Sequence, residues 1–507
     1  MQIANQHAGD SIQTNRKPSF AILAPYFKSY LLPVLAAAYP SLFFYGNNVH
    51  NLLLTNLGRT IILYILIATI VYLAFIVKNR NSPQKAAIAT LVFLVFFNLY
   101  GMLENLLLRL DWFTVYDFVI LPVTLLVAGY VIWLITKLTE QASRQIWNFA
   151  AIVLGGLIFY NLVIIIPAEV YKQQQAKTIN SEYMPPGSEI ERELPDIYYI
   201  IFDEFSGLKP MRDYWNNPKA NEFEKFLISK GFTVFQDPHG SSTNTLREIA
   251  TRLNYQHFTW DDDPASQKDW FDSISKNRVM DYLKQQGYKV VTFNETQFAI
   301  PSATSIDSDV TYNYEDIPTT NLGVFFDEFG VFVANNTMMN VFSSYYTKLS
   351  TSKHADMVFF TTNKVGELSE IVSPKFVYIH LIIPHAPFMF DEKGNVNVPT
   401  AYNNYTYYLD NYNFSIYLAT KMVTNILSNA SPKTPPVIIL QSDHGLRNSS
   451  SSFVGQLENF PDEYKTSILY ALRLPGYEPS FSTQEMDPIN TFPIVFNHLF
   501  NAGIPLK

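Results

Sequence analysis

The sequence predicts an N-terminal α-helical membrane domain of about five spans, followed by an α/β domain with a mostly parallel sheet. Two observations indicate this fold class. Long apolar runs of the 507-residue chain are concentrated before Pro167, whereas the remainder mixes short apolar runs with turn residues and charges. In that remainder, β-rich segments alternate with helical stretches, a pattern typical of a parallel sheet covered by helices.

Five stretches are long and apolar enough to cross about 30 Å of hydrocarbon, which takes about 20 helical residues. A buried helix of a soluble protein is rarely apolar on all its faces, and the polar Met1–Pro18 segment does not fit a cleavable signal peptide. We place the spans at Ser29–Tyr45, Thr60–Val77, Ala86–Leu108, Phe118–Leu138 and Phe149–Ile166. The predicted domains are therefore residues 1–167 in the membrane, a linker at 168–195, and a water-facing domain at 196–507.

Lysine and arginine indicate the orientation, because they are retained in cytoplasmic loops. The basic residues cluster in three segments: Arg16, Lys17 and Lys28, then Lys78, Arg80 and Lys85, then Lys137 and Arg144. The two intervening loops carry one arginine each, Arg59 and Arg109. An odd number of spans then predicts a multi-pass protein of the plasma or inner membrane whose second domain is extracytoplasmic.

The second domain is predicted from short strands and the helices between them. The strands are placed at Ile197–Phe202, Lys289–Phe293, Phe376–Ile383, Val437–Gln441 and Thr466–Leu474. The helices are placed near Asn221–Lys230, Thr245–Asn254, Arg278–Gln286, Asn411–Leu427 and Ile489–Asn501. We expect Gln297–Asp356 to add loops or helices around a cleft.

Charge and cysteine content exclude several functions. A formal net charge of -8 provides no basic surface for phosphate backbones, so we exclude nucleic acid as a partner. The chain has no cysteine, which excludes disulfides, thiolate metal sites and a cysteine nucleophile.

Ionisable side chains follow three of the predicted strands. The first strand ends at Asp203 and Glu204, the third is followed by His385, and the fourth by Asp443 and His444. In an open α/β sheet, ligands bind outside the carboxyl ends of the strands. Carboxylates and a neutral imidazole are suitable ligands for Zn²⁺ or Mn²⁺. The sequence therefore predicts a metal site at this edge of the sheet.

A hydroxyl nucleophile is expected between Phe232 and Asn254. A strand, a polar turn rich in glycine and serine, and an amphipathic helix follow one another there. This order places Thr243 or Thr245 near a helix N-terminus, where N–H groups and the helix dipole favour an oxyanion.

Each motif also has a purely structural explanation. Ser241–Thr245 could be an N-cap cluster, Asp203 and Glu204 could cap a helix, and His385 could be a loop histidine between prolines. Asp443-His444-Gly445 is the most specific, because it closes a strongly apolar strand. The occurrence of all the motifs in this order favours a site.

The order of these motifs resembles that of the alkaline-phosphatase superfamily, in particular the membrane branch that contains lipoteichoic acid synthase and lipid A phosphoethanolamine transferase. The matching stretches are Phe202-Asp203-Glu204, Thr245 to Leu253-Asn254, His385-Ala386-Pro387, Ser442-Asp443-His444-Gly445 and Pro488-Ile489-Asn490-Thr491-Phe492. The resemblance covers nearly the whole chain and implies that residues 196–507 form a sulfatase-like catalytic domain. The Cys/Ser-x-Pro-x-Arg motif of arylsulfatases does not occur, which argues against sulfate-ester hydrolysis through formylglycine.

The resemblance also implies roles for individual residues. Asp203, Thr245, Asp443 and His444 would bind one divalent metal ion, Zn or Mn. Thr245 would be the metal-bound nucleophile, and His385 would contact the substrate or its leaving group. Glu204 competes with Asp203, and Thr243 with Thr245. Arg447, close to His444 in sequence, is a further candidate.

The predicted function is metal-dependent transfer of a phospho-head-group from a membrane phospholipid to an envelope glycan, lipid or polymer through a phospho-threonine intermediate. One alternative is a membrane-anchored phosphatase, phosphodiesterase or sulfatase-like ester hydrolase, in which water is the acceptor. Another is a non-catalytic membrane binding protein. The spans contain very few ionisable residues, so they offer no ion or proton path for a transporter.

Overall fold

The computed structural model of the chain describes residues 19–49, 54–79, 82–109, 117–182, 193–258, 270, 273–294, 308–313, 325–326, 328–396, 405–447, 457–477 and 486–507. The chain forms two compact units. The first comprises the chain up to Ile165 except 48–56, together with the later stretch Val333–Val341. The second comprises everything else.

Most of the first unit is formed by long helices, the last of which continues past Ile165 into the second unit. They are α1 (Ser19–Asn47), α2 (Leu54–Lys78), α3 (Pro83–Arg109), α4 (Asp117–Thr136) and α5 (Glu140–Glu182). Each of these five contains a stretch long and apolar enough to cross a membrane. The prediction of five spans is confirmed within the described residues, and the bounds differ by a few residues.

Helix α5 differs from the sequence prediction at its C-terminal end. It continues through Pro167 as far as Glu182, so the first part of the predicted linker is helical. The physical reason is the local composition, because alanine, glutamate, glutamine and lysine, which dominate Ala168–Lys177, are good helix formers. The rest of the predicted linker up to residue 192 lies outside the described residues.

The second unit is built on a seven-stranded sheet of order β2-β7-β6-β1-β5-β3-β4. The strands are β1 (Ile197–Phe202), β2 (Thr233–Val234), β3 (Lys289–Asn294), β4 (Val310–Asn313), β5 (Lys375–Leu381), β6 (Val437–Ser442) and β7 (Tyr470–Arg473). β4, β3, β5, β1 and β6 run parallel to one another, and β7 is antiparallel to β6. The predicted mostly parallel sheet is confirmed.

Helices cover both faces of this sheet. They are α6 (Leu208–Asp213), α7 (Pro218–Ser229), α8 (Thr245–Asn254), α9 (Arg278–Gln285), α11 (Ser343–Lys364), α12 (Tyr405–Ser428) and α13 (Thr491–Phe500); a further helix, α10 (Glu328–Asn335), ends in the stretch that belongs to the first unit. Alternate residues of β1 enter two different cores. Tyr198, Ile200 and Phe202 join the core that includes residues of α7 and α12. Ile197, Tyr199 and Ile201 join the core that includes residues of α8 and α13.

Two predicted elements are shorter than expected. The strand predicted at Thr466–Leu474 is regular only in β7, because Ser467 and Ile468 instead form isolated bridges to His239 and Ser206. The strand predicted before the polar turn is reduced to the two residues of β2. The region Gln297–Asp356, expected to add only loops or helices, contributes strand β4, which pairs with β3, as well as α10 and the start of α11 among its described residues.

Candidate metal centre and nucleophile

The carboxyl ends of three neighbouring strands place the candidate side chains together. β1 lies between β5 and β6 with parallel pairing on both sides, and Phe202 is opposite both Leu381 and Ser442. Asp203 follows β1 directly and Asp443 follows β6 directly. The register of the strands therefore places the two carboxylates side by side at the carboxyl end of the sheet.

Asp203, His380 and Asp443 form a group suited to a metal ion. One ligand atom from each lies within 4.8 Å of the others, and all three residues are buried. Within the part of the chain that the structure describes, Asp203 Oδ1 and both ring nitrogens of His380 make no hydrogen bond, and His380 Nε2 lies 3.5 Å from Asp203 Oδ2. A buried polar group without a partner costs about 1–3 kcal/mol. A divalent cation such as Zn²⁺, which takes nitrogen and oxygen ligands, would bind Asp203 and one of the two ring nitrogens of His380.

His444 presents one ring nitrogen to the same point. Its Nδ1 lies 2.7 Å from the Gly445 carbonyl oxygen. A carbonyl can only accept, so Nδ1 carries a proton and Nε2 is the ring nitrogen placed to bind a metal. Nε2 lies 3.3 Å from Asp443 Oδ2 and 3.2 Å from Thr245 Oγ1. A backbone partner that fixes the tautomer is the usual support for a metal-binding histidine.

Thr245 is the first residue of α8, and its hydroxyl faces the metal-binding group. The side chain of Asn244 caps the helix by accepting a hydrogen bond from the Arg247 N–H. Thr245 Oγ1 donates to Asp443 Oδ2 at 2.7 Å. Thr243 makes no hydrogen bond to these side chains among the described residues. Of the two threonines that the sequence left open, the geometry favours Thr245 as the nucleophile.

Asp443 is held by backbone groups on its other oxygen. Oδ1 accepts hydrogen bonds from the backbone N–H groups of Glu204 at 2.9 Å and of His444 at 2.7 Å. Because Oδ1 is fixed in this way, Oδ2 is directed at Thr245. Glu204 adopts a left-handed backbone conformation, with φ of 59°, which is uncommon for residues other than glycine. This conformation lets its N–H reach Asp443.

The Glu204 carboxylate turns away from the metal-binding group. Its Oε1 accepts from the backbone N–H of Arg447 at 2.9 Å and lies 3.4 Å from the Arg447 side chain. Its Oε2 lies 3.9 Å from His385 Nε2. Of the two adjacent acids that the sequence left open, the geometry favours Asp203 as the metal ligand.

The charges around Asp203 favour its ionised form. Burial alone would raise the pKa of Asp203, but His385, His380 and His444 outweigh this effect and hold it below its ordinary value. The carboxylate is thus ionised at neutral pH, which metal binding requires.

His385 and Arg447 lie on the more open side of the site. The side chain of His385 is 31% exposed, whereas Asp203, Asp443 and His444 are buried. Its Nδ1 lies 2.5 Å from the Ala386 carbonyl oxygen, so Nε2 is the ring nitrogen that faces Glu204 and the open side of the site. Burial lowers the pKa of Arg447, but the Glu204, Asp203 and Asp443 carboxylates together raise it above its ordinary value.

Sequence reasoning missed two residues of this region. The first is His380, whose signal was a lone ionisable residue inside the apolar run Phe376–Ile383. The second is Arg252, which is 1% exposed. Its guanidinium donates to the carbonyl oxygens of Ser442 at 2.5 Å and Asp443 at 2.6 Å, and to Glu248 Oε2 at 2.9 Å. Arg252 thereby ties α8 to the end of β6.

Known structures show similarity to this chain, whereas no family model and no curated protein matches it. The C-terminal periplasmic domain of EcEptC from Escherichia coli, in complex with Zn, is 15% identical with a TM-score of 0.36, over 57% of this chain and 74% of that one. An alkaline phosphatase superfamily protein from Vibrio parahaemolyticus is 13% identical with a TM-score of 0.39, over 65% and 75%.

The lipoteichoic acid synthase LtaP from Listeria monocytogenes is also similar. It is 13% identical with a TM-score of 0.37, over 64% of this chain and 78% of that one. Since identities and TM-scores are this low, the assignment of the site depends on its own geometry.

Proposed function

We propose that this chain is a membrane-anchored, metal-dependent enzyme that transfers a phospho-head-group from a phospholipid to a hydroxyl acceptor of the cell envelope. The observation that carries the proposal is the position of Thr245. Its hydroxyl lies at a helix N-terminus, hydrogen-bonded to Asp443 and 3.2 Å from His444 Nε2. A threonine with a purely structural role at the start of a helix does not need a buried carboxylate and an imidazole at its hydroxyl.

Asp203, His380, Asp443 and His444 would hold the metal ion, with Thr245 beside them. Their oxygen and nitrogen donors fit Zn or Mn, and one ion would bind the buried Asp203 carboxylate and one ring nitrogen of His380. When bound, such an ion lowers the pKa of a hydroxyl and neutralises charge on phosphoryl oxygens.

Thr245 acts in two steps in this mechanism. Its Oγ1 passes its proton to Asp443 Oδ2, the hydrogen-bond partner, and forms a bond to phosphorus while the bond from phosphorus to the lipid alcohol breaks, which leaves a phospho-threonine. The N-terminal amides of α8 stabilise the developing negative charge. An acceptor hydroxyl then attacks the same phosphorus, the bond from phosphorus to Thr245 Oγ1 breaks, and Oγ1 takes the proton back from Asp443.

His385 and Arg447 serve the substrate side. Protonated His385 donates a proton from Nε2 to the departing alkoxide, and the neutral ring then takes a proton from the acceptor hydroxyl. Arg447, its charge favoured by surrounding carboxylates, binds the phosphoryl oxygens. Glu204 orients both side chains.

The membrane helices support the lipid part of the proposal. Basic residues at one end of the spans favour an extracytoplasmic position for the second unit, where lipids and envelope acceptors share one surface. Tethering the enzyme to that surface raises the effective concentration of both substrates.

The test uses the full chain in vesicles of mixed phospholipids, with Zn²⁺ or Mn²⁺. We expect diacylglycerol to form with the parent chain and not with Thr245→Val, which has the shape of threonine without its hydroxyl. Adding an envelope glycan or lipid acceptor should move the head group onto it. Head group released only to water would show a hydrolase. Equal diacylglycerol from both proteins would overturn the role of Thr245, and no turnover in either would favour a binding module.

A further inference from the structure

One stretch of the later chain belongs structurally to the membrane helices. Val333–Val341 clusters with α1 to α5. A Cβ atom at Gly101 of α3 would lie 2.6 Å from the Asn336 Cα, so the two backbones approach as only glycine permits. Asn340 Nδ2 also donates to Glu104 Oε2 at 2.6 Å.

These contacts fix the depth of the stretch. Glu104 lies in the last two turns of α3, five residues before the helix ends at Arg109. Charged side chains are costly inside the hydrocarbon core, so a carboxylate and an arginine this close together indicate that this end of α3 is near the lipid head groups. Val333–Val341 therefore lies at the level where hydrocarbon gives way to lipid head groups.

Large aromatic side chains are exposed directly beside this stretch. Phe332 precedes it, Phe342 follows it, and Tyr345 lies one turn further on; they are 41%, 65% and 59% exposed. Among the described residues from 193 onwards, Phe332 and Phe342 are the only exposed phenylalanines. The opposite side of the same elements is packed, since Phe329, Val333 and Tyr346 are buried.

We propose that Phe332, Phe342 and Tyr345 form an aromatic anchor that inserts into the head-group region of the lipid bilayer. The occupant of this surface is lipid rather than protein, because the exposed rings adjoin a stretch that already packs at the end of a membrane span. Aromatic residues are enriched at this level, where a ring meets both hydrocarbon and polar head groups. Lys348, exposed three residues after Tyr345, is positioned to reach lipid phosphates.

The anchor has a consequence for the second unit. Tyr345 and His354 lie on the same helix, α11. Ala355 and Val358 of this helix pack in the same core as Phe202 and Ile383, which precede Asp203 and His385 in the chain, so α11 extends from the anchor to the surroundings of the candidate site. The lipid surface would hold this helix directly, in addition to the covalent connection through α5.

The absence of cysteine permits a direct test, because any introduced cysteine is unique. Phe342→Cys and Tyr345→Cys are labelled with an environment-sensitive fluorophore in the full chain, reconstituted in bilayers. Val372→Cys and Tyr417→Cys, 68% and 56% exposed, are the matched controls. Spin-labelled lipids that carry the quencher at shallow, middle or deep positions report the depth of each probe.

We expect shallow quenching at positions 342 and 345 to be at least twofold stronger than at the controls, with a blue-shifted emission. Quenching equal to that of the controls would overturn the proposal. Emission that is equally blue-shifted in detergent, without dependence on the quencher lipids, would show a protein partner or a second copy instead, which also overturns it. Because labelling replaces the rings, unlabelled parent chain is also cross-linked to a photoactivatable lipid, and adducts should map to the peptide that contains Phe342 and Tyr345.

Discussion

Replacing Arg252 with alanine tests how α8 is held against the C-terminal end of β6. Arg252 makes three charge-assisted hydrogen bonds, to the Ser442 and Asp443 carbonyls and to Glu248. Its loss leaves the Glu248 carboxylate, 2% exposed, without a cation. Breaking a buried ion pair in this way costs about 3–5 kcal/mol. We expect a fall in the melting temperature of about 10 °C for a domain of this size.

The assay combines two readouts on the full chain in detergent. Thermal unfolding gives the loss of stability, and hydrogen exchange of peptides from α8 shows whether the helix detaches locally. The double variant Glu248→Leu with Arg252→Met removes both charges together, so it should lose less stability than Arg252→Ala. A loss of stability below about 1 kcal/mol in Arg252→Ala lies in the range of exposed ion pairs and would show that Arg252 does not hold α8 in place. An unchanged exchange rate in α8 would show the same.

Three further predictions concern the metal, pH and packing. His380→Asn should weaken Zn²⁺ binding at least about tenfold in competition with a coloured chelator, and chelation should then lower the melting temperature of the parent more than that of the variant. Burial, assisted by His385, lowers the pKa of His354 from its ordinary value of 6.5 to about 4. Between these two pH values the unfolded chain is protonated at His354 and the folded chain is not, so stability decreases as the pH is lowered through this range. From pH 7.5 to 5 this loss is about 2 kcal/mol, and His354→Gln should remove it in metal-free protein. Gly445→Ala would place a Cβ atom 2.6 Å from the Ser467 carbonyl oxygen and should cost about 3 kcal/mol.

Each of these has a control or a contrary result. Equal metal affinity in parent and His380→Asn would remove His380 from the site. An identical pH dependence of melting in parent and His354→Gln would show that His354 titrates normally. For Gly445→Ala, the control is Gly155→Ala, since nothing lies within 4 Å of a Cβ at Gly155; equal melting temperatures of the two variants would contradict the packing argument.

Much of the fold could be predicted because local signals and tertiary packing agree. β1 has the predicted bounds, Ile197–Phe202, since the apolar run ends abruptly at two acids. α8 also has the predicted bounds, Thr245–Asn254, because Asn244 caps it and Tyr255 ends it in a left-handed conformation. In these two cases the residues next to the element in the sequence indicate where the strand or helix ends.

The parts that could not be predicted depend on contacts between distant residues. His380 joins the site only because β5 pairs with β1 in a register that puts it opposite Ile201, beside Asp203. Arg252 lies on an amphipathic helix, where an arginine is usually solvated. Its burial follows from the approach of α8 to Ser442 and Asp443. The exposed rings beside Val333–Val341 are interpreted as a lipid anchor because this stretch contacts α3, and no local pattern in the sequence indicates that contact.

The central claim is that Thr245 carries the transferred group. The most direct measurement is the intact mass of the full chain after incubation with Zn²⁺ or Mn²⁺ and mixed phospholipids, for the parent, Thr245→Ser and Thr245→Val. We expect an adduct of head-group mass on the parent that maps to Thr245. Thr245→Ser, which keeps a hydroxyl, should also form an adduct, and Thr245→Val should form none. An adduct of equal amount on Thr245→Val, or one that maps to another residue, would contradict it.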